Sequence, residues 1–233
     1  MTATVYAAAI IAGGRGRRLG GLEKSRLVIG GRPVIDRQLA VLGQVATRVL
    51  VVTDDHHRFS TSGLQVCDDV LPGAGPLGGL HTALTRSPGR RTLVVAGDLP
   101  FLTGAFLRHL AARAPHADAV VPRNAAGLQP LCAVYDRGCA ETIRARIETG
   151  GRRLVDLAGW LRVTEVGPDE VAAFDPDGML LFNVNTPADH ARAVSCAARR
   201  AGSAGAHGRP RVNRWNPVLR PAPGARAPMA GPE

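Results

Sequence analysis

A continuous apolar run near the start of the chain constrains its fold more than any other feature. Residues 4–11 read TVYAAAII and are followed directly by Ala-Gly-Gly. An uninterrupted apolar run of this kind is typical of a strand that is buried on both faces, as in parallel sheets covered by helices. We therefore predict a buried parallel strand that runs into a glycine loop.

Strand-like and helix-like segments alternate over the rest of the chain to residue 166. The strand-like segments read RVLVV, LQVC, RTLVVAGD, ADAVVP, PLCAVY and LRVTEV, and helical patterns begin near Pro33, Pro76, Gly104 and Cys139. Such alternation favours parallel strands with helices on both faces. The predicted fold class is α/β, a three-layer αβα arrangement with a largely parallel, Rossmann-like sheet, and ligands are expected beyond the carboxyl ends of its strands.

The last part of the chain differs in composition from the rest. Residues 197–233 hold seven Arg, nine Ala, six Pro, five Gly and a single acid, so they carry +6 of the net charge of +10. This composition offers too little apolar surface to offset the entropy cost of ordering. We predict one folded domain over 1–196 and a disordered tail over 197–233, with a nucleic-acid-binding arm as the alternative for the tail.

Several classes of protein are excluded by the composition. The four cysteines, Cys67, Cys132, Cys139 and Cys196, form no CxxC pair, so we expect reduced thiols and no zinc site. No apolar run approaches the roughly 20 residues of a membrane helix. The first residues also lack the basic region of a signal peptide. We expect a soluble, cytoplasmic protein without a membrane partner.

The glycine loop predicts a site for a polyanion. It reads IIAGGRGRRLGGLEKSRL over residues 10–27. It is not a dinucleotide fingerprint, because Leu19 stands where the third glycine is needed, and it is not a Walker loop, because Glu23 precedes Lys24. Its glycines let backbone amides approach an anion. Four basic side chains add charge that suits a triphosphate, namely Arg15, Arg17, Arg18 and Lys24.

Lys24 is the only lysine among the 29 basic residues. A compact ammonium on a flexible stem contacts a phosphate oxygen differently from a planar guanidinium. Lys24 is therefore the first candidate for chemistry.

Asp98 is the second candidate. It follows the predicted strand in VVAGDLPFL, residues 94–102, which places a carboxylate at the ligand edge of the sheet. Mg²⁺ takes one or two carboxylates and completes its shell with water and phosphate oxygens. The alternative for Asp98 is a helix N-cap.

Two further segments carry candidate ligand contacts. PGAGPLGGL, residues 72–80, enters a helix just after Asp68 and Asp69, and its glycines allow a base or sugar to approach the backbone. In FNVNTPADHARA, residues 182–193, Asn183 and Asn185 alternate on a predicted extended segment, so both amides point to one side, toward a pterin-like or polyhydroxylated ligand. The alternative is that one Asn caps a turn.

Taken in this order, AGGRGRRLGGLEK, GPLGGL, GDLPF and NVNTP resemble the molybdenum cofactor guanylyltransferase family, which belongs to the glycosyltransferase-A-like nucleotidyltransferases. The resemblance covers residues 4–194. It implies a fold of the nucleotide-diphospho-sugar transferase type and Mg²⁺-assisted transfer of GMP from GTP to the molybdopterin-bound molybdenum cofactor, with release of pyrophosphate. Molybdoenzyme-maturation proteins are the further partners it implies.

The resemblance also implies roles for individual residues. The guanine nucleotide would contact Ile11, Ala12, Gly13, Gly14 and Asp69, Lys24 and Arg18 would neutralise its phosphates, Asp98 would hold Mg²⁺, and Asn183 and Asn185 would face the pterin. Ile11 and Glu23 stand where the family usually has Leu and Asp. Thr53 or Asp54 stands where many relatives have Asn.

Two alternatives to guanylyl transfer are open from the sequence. One is a CTP- or GTP-dependent nucleotidyltransferase for another phosphorylated acceptor, such as molybdopterin cytosine, methylerythritol phosphate or phospholactate. The other is a nucleotide-binding partner protein without turnover, which would dock through its basic tail.

Overall fold

Ten strands and six α-helices make up the described fold. The computed structural model describes residues 5–12, 27–54, 64–114, 117–151 and 153–204. In chain order the strands are β1 (Val5–Ile11), β2 (Val28–Ile29), β3 (Arg32–Pro33), β4 (Ala46–Val52), β5 (Gln65–Cys67), β6 (Arg91–Ala96), β7 (Ala119–Asn124), β8 (Gly127–Leu128), β9 (Cys132–Asp136) and β10 (Val163–Val166). The α-helices are α1 (Val34–Leu42), α2 (Pro76–Arg86), α3 (Gly104–Ala112), α4 (Cys139–Glu148), α5 (Pro168–Ala172) and α6 (Pro187–Ala204), and a 3₁₀ helix spans Leu154–Gly159.

The central sheet is mixed, with a parallel side and an antiparallel insertion. Its strand order is β10-β7-β9-β6-β1-β4-β5, and β8 pairs with β7. The pairs β6–β1, β1–β4, β4–β5 and β7–β10 are parallel. Strand β9 runs antiparallel to both β6 and β7. The largely parallel α/β sheet predicted from the sequence is confirmed.

Helices cover both faces of the sheet because its central strands are apolar on both sides. Ala8 and Ile10 of β1 pack into one core, which includes Phe106 and Leu110 of α3. The next residues along the strand, such as Ala9, point the opposite way into a second core built with α2 and α4. This alternation gives the predicted three-layer αβα arrangement.

A small hairpin and α6 form a third apolar cluster at one end of the sheet. The strands β2 and β3 are joined by Gly30 and Gly31, which have φ values of +55° and +74°. This left-handed backbone is what a tight two-residue hairpin turn needs, and glycine adopts it without steric cost. The cluster includes Leu27 and Ile29 near the hairpin and Ala193 of α6.

Helix α6 crosses the domain boundary expected after residue 196. It continues to Ala204, and its residues Cys196 and Ala197 are buried in the third cluster. The first residues of the expected tail are thus part of the folded unit, because the helix carries apolar side chains on its inner face. Residues 205–233, and with them the rest of the tail, lie outside the described residues. In the described part of the chain, no helix is both long and apolar enough to span a membrane.

Candidate active site

Four strand ends meet along one edge of the sheet. Backbone hydrogen bonds join them in order: Gly97 N donates to Ile11 O at 2.9 Å, Ala12 N to Val52 O at 2.9 Å, and Thr53 N to Cys67 O at 3.0 Å. The residues that follow β6, β1, β4 and β5 therefore line up on this edge. Ligands of open parallel α/β sheets bind at such an edge.

Asp98 follows β6 on this edge, directly after Gly97, whose N–H donates to Ile11 O at the end of β1. Asp98 as a whole is partly exposed, but its Oδ1 atom is buried. Its backbone carbonyl accepts a hydrogen bond from Val184 N at 3.0 Å. A Cβ on the preceding Gly97 would stand only 3.3 Å from Ala12 Cα. Glycine at 97 thus lets the turn that carries Asp98 pack closely against the start of the glycine loop.

Most of the glycine loop lies outside the described residues. This applies to the predicted site residues Gly13, Gly14, Arg18 and Lys24, since residues 13–26 are not described. The two flanks of the loop are described. Ala12 lies beside Gly97, and Leu27 packs in the same apolar cluster as Val184. One flank of the loop therefore lies beside Gly97, and the other packs with Val184, which bonds to the Asp98 carbonyl.

Asp69 is held by hydrogen bonds within the protein. Its Oδ1 accepts from Thr82 Oγ1 at 2.8 Å and from Leu71 N at 3.2 Å, and Thr82 Oγ1 in turn accepts from Val70 N at 2.8 Å. Asp69 follows β5, three strands away from Asp98 in the sheet. The structure places Asp69 on the predicted edge and shows it tying β5 to α2.

The glycines at the start of α2 serve internal packing. A Cβ on Gly78 would stand 2.8 Å from Asp69 Oδ2, and a Cβ on Gly79 would stand 2.8 Å from Ile11 Cγ2. Their lack of a side chain lets α2 lie close to β1 and to Asp69. Close approach of a base or sugar to this segment stays a prediction.

A cleft opens beside the segment before α6, in which Val184 N donates to the carbonyl of Asp98. It has a volume of about 500 Å³ and lies between the β7–β8 turn, α5, the segment before α6 and α6 itself. Its polar lining includes Asn124, Gln129, Asp175, Asn183 and Arg192. The guanidinium of Arg192 lies 4.9 Å from the centre of the Phe182 ring, a cation–π contact. Since Val184 N bonds to Asp98 O, Asn183 connects this cleft to the strand-end site.

The two asparagines occupy different positions, contrary to the expectation that both amides share one side. Residues 182–185 form no strand, so the alternation of an extended segment does not apply. Asn183 lines the cleft, whereas Asn185 begins the turn into α6 and its N–H donates to Asp189 Oδ2 at 3.0 Å. Thr186 caps α6, because its Oγ1 accepts from Asp189 N at 3.1 Å and its own N–H donates to Asp189 Oδ2 at 2.8 Å, which makes a reciprocal capping box.

Sequence reasoning missed three residues of this region: Gln38, Thr82 and Arg192. Gln38 had a signal, since it is a polar residue at a position of α1 that helical periodicity assigns to the buried face, with Val34, Ile35 and Leu42. Thr82 lay in a helix without any motif. Arg192 was one of 28 arginines, and only the fold brings it to the cleft.

Comparison with known proteins agrees with this geometry. The family model described as MobA-like NTP transferase domain matches residues 8–164. A protein of Pelotomaculum thermopropionicum named probable molybdenum cofactor guanylyltransferase is 35% identical over 184 residues, covering 79% of this chain and 89% of its own. One of Desulfosudis oleivorans named molybdenum cofactor guanylyltransferase is 31% identical over 178 residues, covering 76% of this chain and 88% of its own.

The chain belongs to the molybdenum cofactor guanylyltransferase family of MobA-like NTP transferases. The family resemblance drawn from the sequence motifs is confirmed. A crystal structure named molybdopterin-guanine dinucleotide biosynthesis protein A, from Archaeoglobus fulgidus, superimposes with a TM-score of 0.72 at 26% identity, covering 83% of this chain and 99% of that one. The fold of this guanylyltransferase-family chain is therefore that of a nucleotidyltransferase.

Proposed function

We propose that this protein transfers the GMP moiety of GTP to the phosphate of the molybdopterin-bound molybdenum cofactor. A phosphate oxygen of the acceptor forms a bond to the α-phosphorus of GTP, the bond from that phosphorus to the bridging oxygen breaks, and pyrophosphate leaves. The observation that carries this proposal is the hydrogen bond from Gly97 N to Ile11 O, which places the turn that carries Asp98 beside the end of β1, from which the glycine loop continues. The choice of GTP and of the pterin acceptor rests on the names of the relatives.

The donor properties of Asp98 fit Mg²⁺. The described residues contain no group of three or more His, Cys, Asp or Glu side chains that would hold a metal ion by themselves. A single carboxylate at a phosphate site is what Mg²⁺ accepts, because it shares its shell with water and phosphate oxygens. We assign the ion to Asp98. When bound, Mg²⁺ neutralises charge on the triphosphate and on the leaving pyrophosphate.

The glycine loop supplies the remaining contacts of the nucleotide in this proposal. Backbone amides of Gly13 and Gly14 cradle the phosphates, and Lys24 and Arg18 neutralise them. The nucleoside lies against the edge that continues along Ile11, Ala12 and Asp69. The buried strand β1 supports this assignment, since it fixes the start of the loop next to Asp98.

The acceptor enters from the cleft that Asn183 lines. The cleft volume of about 500 Å³ is within the usual range for small-molecule sites. Asn183 offers an amide that both donates and accepts hydrogen bonds, as a pterin requires. Asn185, at the start of α6, orients this segment and completes the acceptor side of our assignment.

No general base is needed for this reaction. The acceptor is a phosphate monoester, whose second pKa near 6 leaves its oxygen ionised at neutral pH. The protein must instead reduce the repulsion between two polyanions and hold the attacking and leaving oxygens in line. Lys24, Arg18 and Asp98 with its ion meet that requirement.

The cell compartment and the recipient of the product follow from the same proposal. We place the protein in the cytoplasm, which agrees with four free cysteines among the described residues, Cys132 and Cys139 being deeply buried as thiols. The product would pass to a molybdoenzyme-maturation protein.

A thermal-shift panel tests the nucleotide assignment. The wild-type protein and Asp98→Ala are melted with GTP, CTP, ATP and UTP, each with and without Mg²⁺. A ligand at 100 times its Kd adds about 2.7 kcal/mol to the free energy of unfolding, which shifts the melting temperature by several degrees. We expect stabilisation by GTP, enhanced by Mg²⁺ only when Asp98 is present. Preference for CTP would indicate a cytidylyl relative with another acceptor, and no nucleotide effect would overturn the proposal.

A further inference from the structure

Gln38 is a fully buried polar side chain on the apolar face of α1. It is 1% exposed, and its neighbours on that face include Val34, Ile35 and Leu42. Its Nε2 donates to Ala96 O at 2.6 Å and to Leu99 O at 3.1 Å. These two carbonyls stand on either side of Asp98 in the chain, so one amide group spans the turn that carries the carboxylate.

The backbone of this turn is held from several directions at once. Ala96 N donates to Leu131 O at 2.7 Å, Gly97 N donates to Ile11 O at 2.9 Å, and Asp98 O accepts from Val184 N at 3.0 Å. Gln38 adds a contact from the buried face of α1. Backbone groups of Ile11, Leu131 and Val184 hold two N–H groups and the Asp98 carbonyl of the turn, and the side chain of Gln38 holds the carbonyls of Ala96 and Leu99.

Burial of an amide is costly unless its polar atoms are paired. The Oε1 atom of Gln38 is buried and has no hydrogen-bond partner among the described residues, so only its Nε2 is paired there. A leucine or methionine would fill the same space without that cost. The contribution that distinguishes glutamine from an apolar residue at this position is therefore its pair of N–H donors to the Asp98 turn.

We propose that Gln38 is a positioning residue that sets the orientation of the Asp98 carboxylate toward the metal–nucleotide complex. This inference rests on the proposed function, in which Asp98 holds Mg²⁺. Some hydrogen bonds orient a metal ligand without contacting the metal, and their removal typically lowers metal affinity or activity by about 10- to 100-fold. Without the Gln38 donors the turn could shift, and the Asp98 carboxylate would then adopt several orientations toward Mg²⁺ instead of one.

The test compares Gln38→Met with wild type in the full-length protein. Methionine has nearly the same length and no N–H donor. The Kd of Mn²⁺ is measured by electron paramagnetic resonance in the presence of a non-hydrolysable GTP analogue, and the Mg²⁺ concentration for half-maximal GMP transfer is measured in parallel. We expect both to rise about tenfold, with kcat at saturating Mg²⁺ within about threefold of wild type and an unchanged KM for the acceptor.

Ile35→Val is the matched control. Ile35 is buried on the same face of α1, and its side chain has no donor for the carbonyls of the turn. It should lower the melting temperature without moving the Mn²⁺ Kd. Gln38→Leu is the second variant, for the case that methionine does not pack and the protein does not fold.

The outcomes separate this inference from the proposed function. A Mn²⁺ Kd within twofold of wild type in a folded Gln38 variant overturns the positioning role, as does an equal shift in Ile35→Val. Absence of nucleotide-dependent Mn²⁺ binding in the wild-type protein overturns the proposed function itself. A tenfold shift confined to the Gln38 variants supports the role assigned to this side chain.

Discussion

At the edge of the central sheet that carries the candidate site, the strand ends pack differently on the two sides. On the side of β6, β1, β4 and β5, backbone hydrogen bonds join neighbouring strand ends, and Gly79 and Gly97 bring backbone and side chains into close contact. On the other side, the end of β7 and the turn that leads into β8 border a cleft of about 500 Å³. The parallel side is tightly packed, and the antiparallel side is open.

Strand direction explains this difference. Parallel strands end at the same edge, so the residues that follow them meet and bond to one another. Strand β9 runs the other way between β6 and β7, and therefore it begins at this edge while β7 turns outward into β8. The tight side suits a triphosphate, whose reaction needs fixed in-line geometry. The open side suits a larger acceptor.

The largest effect that tests this comparison is expected from Asp98, which follows β6, the strand of the tight side that borders the antiparallel strand β9. Asp98→Ala should lower the rate of GMP transfer by about 10²-fold or more, the scale of losing one electrostatic contact in a reaction of this kind, and Lys24→Ala should do the same. The measurement is kcat at saturating substrates. Asp136→Asn is the control, since Asp136 ends the antiparallel strand β9 and pairs with Arg90. Turnover of either active-site variant within about threefold of wild type would contradict the assignment.

Gly78→Ala tests the tight packing itself. The added Cβ would stand 2.8 Å from Asp69 Oδ2 and 2.9 Å from Leu71 O, so backbone must move. We expect the free energy of unfolding to fall by about 1–3 kcal/mol, as for other overpacked sites. Urea unfolding measures it. Gly159→Ala, where nothing lies within 4 Å, should change little, and equal midpoints for the two variants would show that this side is not tightly packed.

Asn183→Ala tests the open side. We expect the KM for the acceptor to rise about tenfold, the scale of one hydrogen bond to a charged ligand, because Asn183 lines the cleft. The KM for GTP should stay unchanged. Gln65→Ala, on the exposed surface of edge strand β5, serves as the control. A parallel rise in both KM values would mean that the two sides do not bind separate substrates.

The smallest effect is expected at His81 on α2. This helix packs against α4, which follows the antiparallel strand β9, so the contact connects the two sides of the sheet. Burial lowers the pKa of His81 below its ordinary value of 6.5, and Arg144 lowers it further, whereas Glu141, Asp69 and Glu148 oppose the shift. Below pH 6.5 the unfolded chain binds a proton that the native state resists, so the free energy of unfolding falls as the pH falls.

The measurement for His81 is urea unfolding between pH 7.5 and about 5, the range in which histidine titrates. His81→Leu removes the titrating group, so the stability of wild type relative to this variant should decrease as the pH drops below 6.5. A difference that stays constant over this range would exclude a contribution of His81.

The sequence predicted placement best where a residue directly follows a buried strand. Asp98 and the start of the glycine loop lie together because they end β6 and β1, and strand ends can be recognised from apolar runs. The pair Asn183 and Asn185 was predicted less well. The geometry of a strand was assumed for a segment that has none, since the capping box of α6 takes Asn185 into a turn.

The role of Gln38 could be predicted only in part. Its position on an apolar helix face marked it as unusual, but its partners are about 60 residues away in sequence, and no local pattern indicates which carbonyls a buried amide will reach. Arg192 and the cleft depend on the same kind of long-range placement.

The amino-acid sequence by itself determined seven of the ten strands, four of the six α-helices, the glycine motif and the family, because these depend on periodicity, on turn-forming residues and on motifs that are local in the chain. The tertiary structure decided the direction of β9, the opening of the cleft and the contact of Gln38 with the Asp98 turn. An apolar strand can pair in either direction, and its direction is chosen by the packing of the whole chain, in which distant segments compete for the same buried surface.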